Sequence, residues 1–70
     1  MEEFGKKLAN NIRAERNRNR LTQLEVSEKL GISDRTYKKL EDDASKISAK
    51  QLAELSEILN CKIDVFFINV

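Results

Sequence analysis

Seventy residues with 40% hydrophobic and 36% charged side chains describe one small globular domain, neither disordered nor long enough for a large core. Thirteen basic against twelve acidic residues leave a net charge of +1, so bulk charge alone does not mark a nucleic-acid binder. One cysteine and no histidine exclude an internal disulfide and any Cys/His metal site, and no cofactor is expected.

Phe4, Leu8 and Ile12, with Ala9 beside them, form one apolar stripe and predict a helix from about Phe4 to Arg18. Asn17 to Arg20 interrupt it. Thr22 and Glu25 then form a capping box with Leu21 placed to staple Val26, which starts a second helix. Gly31 supplies a tight turn. Ser33 caps a third helix, with Asp34 in its first turn and Ile32 facing Tyr37. Ser48 and Gln51 make a second box, stapled by Ile47 and Leu52, and open a helix running to about Leu59. That helix buries Leu52, Leu55 and Leu59, with Ile58 alongside, and Asn60 offers a left-handed stop. Each cap contributes about 1 kcal/mol.

The apolar tail at 61–70 suits a short fifth helix from about Ile63 to Phe67. It suits a strand as well, because Ile63, Val65, Phe67 and Ile68 are β-formers. Cys61 serves either as a small core hydrophobe or as a site of intermolecular oxidation. No apolar run approaches the roughly 18 residues of a membrane span, and the charged N-terminus is unlike a signal peptide. A cytoplasmic protein without a membrane partner is expected, with residues 1–70 as a single domain.

Residues 22–41, TQLEVSEKLGISDRTYKKLE, carry the most information. Apolar side chains fall at Leu21, Val26, Leu30, Ile32, Tyr37 and Leu40, and small residues at Ser27 and Gly31 allow two helices to touch. This is the spacing of a helix-turn-helix, whose second helix enters a DNA major groove only if the first packs closely across its back. Arg13, Arg16, Arg18 and Arg20 cluster before the motif, and Arg35, Lys38, Lys39 and Lys46 lie in or after its second helix. Most acids lie elsewhere, at positions such as Glu25, Glu28, Glu54, Glu57 and Asp64. Such a sided field steers DNA despite a small net charge, although the same side chains also suit an ordinary solvated face.

LTQ at 21–23, EKLGIS at 28–33, KKLE at 38–41 and LNCKIDVFF at 59–67 together resemble the Cro/C1-type, or Xre-like, helix-turn-helix family. The resemblance runs from about Leu8 to Phe67. It implies an all-α, compact five-helix, lambda-repressor-like domain, with helices 2 and 3 reading DNA and a homodimer covering a two-fold operator. By position, it implies that Asp34, Arg35, Thr36 and Lys39 face base edges. Gln23, Lys46, Arg16 and Lys38 fall where phosphates are contacted. Arg16 and Glu41 match an ion pair tying helix 1 to the end of the recognition helix.

Residue chemistry adds detail. Arg35 can donate two bonds to guanine O6 and N7, worth about 1–3 kcal/mol of discrimination. Lys39, one turn on, can reach a guanine or a phosphate, and Thr36 offers a hydroxyl and a methyl. Asp34 either accepts from cytosine N4 or simply favours the helix dipole or holds Arg35 in place. Tyr37 fits the core better than a stacking role. The sequence departs from the family at Asp42 and Asp43, where asparagine or arginine followed by a left-handed glycine is usual. Ser27 replaces alanine, and Leu24 replaces a polar residue.

An enzyme is not expected, since no histidine, no base for Cys61 and no glycine-rich phosphate loop is present. Two readings remain. One is sequence-specific binding of double-stranded DNA by a small transcriptional repressor acting as a homodimer on a palindromic operator. The other is a protein-binding module on the same scaffold, such as an antitoxin or anti-repressor component. Val65, Phe66, Phe67, Ile68 and Val70 exceed the needs of one small core, which suits a protein partner or, equally well and more simply, a homodimer with Val65, Phe67, Ile68 and Val70 at its interface.

Overall fold

Capping chemistry and one apolar stripe per helix build the fold in the computed structural model, which describes residues 3–70. Helix α1 spans Phe4–Arg18, α2 Gln23–Leu30, α3 Asp34–Asp42 and α4 Ala49–Ile58, and a 3-10 helix spans Ile63–Phe67. Thr22 and Ser48 close full capping boxes with Glu25 and Gln51, and Ser33 accepts from the Thr36 backbone. Gly31 (φ 74°) and Asn60 (φ 53°) take the left-handed conformation at the ends of α2 and α4. Arg20 also adopts it, at φ 57°, directly after α1.

A short helix stands over Ile63–Phe67 as expected, but it is of the 3-10 type. The tail forms one short 3-10 segment, so the architecture is four α-helices plus that turn, and no strand occurs among the described residues. Val65 N donates to Lys62 O at 3.0 Å, the tighter three-residue bond that suits a five-residue run rich in side chains stiff at χ1.

Leu8, Ala9 and Ile12 of α1 meet Val26, Tyr37, Ala44, Leu52, Leu55, Leu59 and Phe66 in one buried cluster. Ser27 is buried within α2, and its hydroxyl donates to Leu24 O at 2.7 Å. A satisfied hydroxyl explains why serine replaces alanine there at little cost. Cys61 is free and half-buried against this core, and burial pushes its thiol up, which favours the packing role.

Two asparagines tie distant parts of the chain together. Asn11 Nδ2 donates to both Phe66 O and Ile68 O at 2.8 Å, pinning the tail to α1. Asn19 Nδ2 donates to Glu15 O and Leu59 O, also at 2.8 Å, joining the ends of α1 and α4.

The segment after α3 needs no left-handed residue. Asp43 is extended (φ −156°, ψ 113°), and its Oδ1 accepts from Ser45 N at 2.9 Å in a local turn. Ala44 N reaches back to Gly5 O at 2.9 Å. A β-carbon on Gly5 would lie 1.8 Å from Asp43 Oδ1, so the loop seats against α1 only because residue 5 is glycine. No helix among the described residues is long and apolar enough to cross a membrane.

Candidate nucleic-acid interface

Helix α3 divides cleanly into two faces. Tyr37 and Glu41, four residues apart, are buried, with Leu40 half-buried beside them. Arg35, Thr36, Lys38, Lys39 and Asp42 are exposed. The inward face therefore anchors the helix, and the outward face presents its cations.

Glu41 is the anchor. Its side chain is 1% exposed, yet it is fully partnered. Arg16 Nε donates to Oε2 at 2.7 Å and Arg16 Nη2 to Oε1 at 3.0 Å, a bidentate fork from α1. Gln23 Nε2, at the start of α2, donates to Oε1 at 3.1 Å. Arg13 also stands 3.6 Å from Oε1 and donates to the Glu41 backbone carbonyl, capping the end of α3. Burial pushes the Glu41 carboxyl up, but the hydrogen bonds, led by those from Arg16, outweigh it and hold the group below its usual range. Tyr37 is enclosed beside this pair, and burial pushes its phenol far above its usual range. One carboxylate thus ties α1, α2 and α3 together.

These ties bear on two residues assigned to phosphates. Arg16 has only 12% of its side chain exposed, with Nη1 directed at Leu21 O and the other nitrogens at Glu41. Gln23 is half-buried and turned toward Glu41. Arg13 was not among the residues singled out for a site. Its position one turn before Arg16 is the only sign in the sequence that it reaches the end of α3.

The outward face is unequal. Asp34 Oδ2 pairs with Lys38 Nζ at 3.1 Å, while Asp34 Oδ1 is enclosed without a partner. The Thr36 hydroxyl accepts from Ser33 Oγ at 2.8 Å, within the cap. Arg35 and Lys39 are exposed, and neither enters a salt bridge or side-chain hydrogen bond among the described residues. Lys46 is exposed in the loop after α3, near the Asp43 carboxylate.

A family model described as helix-turn-helix matches residues 12–66, from the middle of α1 through the buried Phe66. The chain belongs to the Cro/C1-type helix-turn-helix family. It is therefore a DNA-binding helix-turn-helix domain, with α2 and α3 as the two helices of the motif. No curated protein and no solved structure matches the chain.

At the other end of this helix-turn-helix domain lies the apolar tail. Phe66 is fully buried, while Ile63, Phe67, Ile68 and Val70 are exposed and Val65 is half-buried. The Phe67 ring lies 6.5 Å from that of Phe4, at 34°. Leu24, on α2, is exposed to 53% and forms a separate apolar point. No group of three or more Cys, Asp or Glu among the described residues is placed to hold a metal ion.

Proposed function

We propose that the protein is a small transcriptional repressor that binds double-stranded DNA sequence-specifically as a homodimer, in the cytoplasm with the DNA. The observation that carries this reading is the outward cationic face of α3, held rigid from behind by the Arg16–Glu41–Gln23 cluster. Arg35 and Lys39 read base edges in the major groove, with Thr36 beside them. Lys46 and Lys38 contact phosphates. Arg16 and Glu41 act from behind as the structural pair, and the dimer forms through Val65, Phe67, Ile68 and Val70.

Exposed apolar side chains so close together on so small a domain support the dimer, because isolated monomers seldom leave such a patch uncovered. The second reading, a module that binds a protein partner, draws on Asp42, an exposed carboxylate close to the expected phosphate path. Selection of bound duplexes from a random pool separates the two. The repressor reading expects a two-fold symmetric site with half-sites about 34 Å apart, one turn of duplex. A pool that stays random after repeated rounds favours the protein-binding module.

A further inference from the structure

Four side chains of α3 stand where bases are read, but their own bonds leave only two of them free. Asp34 offers a cytosine amino group little: Oδ1 is enclosed, and Oδ2, on a side chain 34% exposed, is already engaged 3.1 Å from Lys38 Nζ. An aspartate four residues ahead of a lysine is also the favourable order for such a pair along a helix. The pair removes a repulsive charge from the groove and supplies no base code. Thr36 is partly spent as well, because its hydroxyl closes the Ser33 cap.

Arg35 and Lys39 remain, both exposed and both without an intramolecular partner among the described residues. Each is a donor with no acceptor atom, so neither can bond to the amino groups of adenine or cytosine. Guanine presents two acceptors in the major groove, O6 and N7, and is the base that arginine and lysine match. Four residues carry Lys39 about 6 Å along α3 from Arg35, one turn further on the same face, so the two side chains reach different base pairs.

We infer that each half-site is read as two guanines on separate base pairs, one by Arg35 and one by Lys39, with Asp34 acting only as the charge partner of Lys38. This rests on the DNA-binding reading above and names the sequence class that it recognises.

The test uses wild-type protein and the variants Arg35→Ala, Lys39→Ala and Asp34→Asn. Both alanine substitutions fall at exposed helix positions and favour the helix, so the fold is retained. Sites are selected from a random duplex pool with wild-type protein. Each enriched guanine is then replaced by 7-deazaguanine, which lacks the N7 acceptor. The expected result is a loss of about ten-fold in wild-type affinity at each of two guanines per half-site. That loss disappears at one position in Arg35→Ala and at the other in Lys39→Ala. Asp34→Asn keeps the base preference of wild type. Half-sites without guanine, or a cytosine preference of wild type that is lost in Asp34→Asn, would overturn the inference while random duplex still binds at low salt. Failure of wild-type protein to bind any duplex at low salt would overturn the DNA-binding reading and this inference with it.

Discussion

Arg16→Ala is expected to remove about 3–5 kcal/mol, a large share of the stability of so small a domain. The substitution strands the Glu41 carboxylate, 1% exposed, without the bidentate partner that holds it at 2.7 and 3.0 Å. Breaking a buried pair by removing one partner costs about 3–5 kcal/mol. A domain of this size has only about 3–10 kcal/mol to lose. Replacing both partners with apolar residues, Arg16→Met with Glu41→Leu, is expected to recover most of the loss, because no buried charge remains. Urea titration followed by circular dichroism measures all three proteins. If the single and double variants were equally destabilised, packing and not the stranded charge would be the cause.

The same carboxylate fixes the acid limb of stability. The folded-state pKa of Glu41 lies below its ordinary value of 4.5, despite the opposing push of burial, because hydrogen bonds led by Arg16 favour the ionised form. Above that value both folded and unfolded chains are ionised, and the full contribution is present. Below it the unfolded chain takes up a proton that the folded chain refuses, so stability falls as pH drops. Glu25 and Asp43, each held low chiefly by hydrogen bonds from the backbone, act in the same direction.

Phe66→Ala and Phe67→Ser are expected to fail in opposite ways, although the residues are neighbours. Phe66 is fully enclosed in the core, and truncating a buried phenylalanine costs about 3–5 kcal/mol. Phe67 is 40% exposed and touches the core edge through Phe4, so its loss costs about 1 kcal/mol. Its effect falls on association. Sedimentation of Phe67→Ser is expected to show a folded monomer at concentrations where wild-type protein is a dimer. A Phe67→Ser protein that remains dimeric would remove the tail from the interface.

Local chemistry was legible from the residues alone. Thr22, Ser33 and Ser48 each act within three positions of themselves, so the starts of α2, α3 and α4 follow from sequence. The division of α3 into buried Tyr37 and exposed Arg35 follows from helical period. The Arg16–Glu41 pair spans 25 positions, and only the family resemblance brought it into view. Nothing local announces that Asn11 holds carbonyls 55 and 57 positions away. The tail was ambiguous because its β-branched and aromatic residues favour a strand at a place that suits a short helix, and in the fold Asn11 holds it against α1. Asp34 shows a different limit. Its position matches a base reader, but its pairing with Lys38 is a choice of rotamer that position does not encode.

Affinity for random-sequence duplex across a salt series bears most directly on the claim that the cations of α3 and its following loop meet phosphates. A dimer in which each protomer neutralises two or three phosphates should give a log–log slope of about −4 to −5. Binding that is undetectable at low salt, or that does not weaken as salt rises, would contradict it.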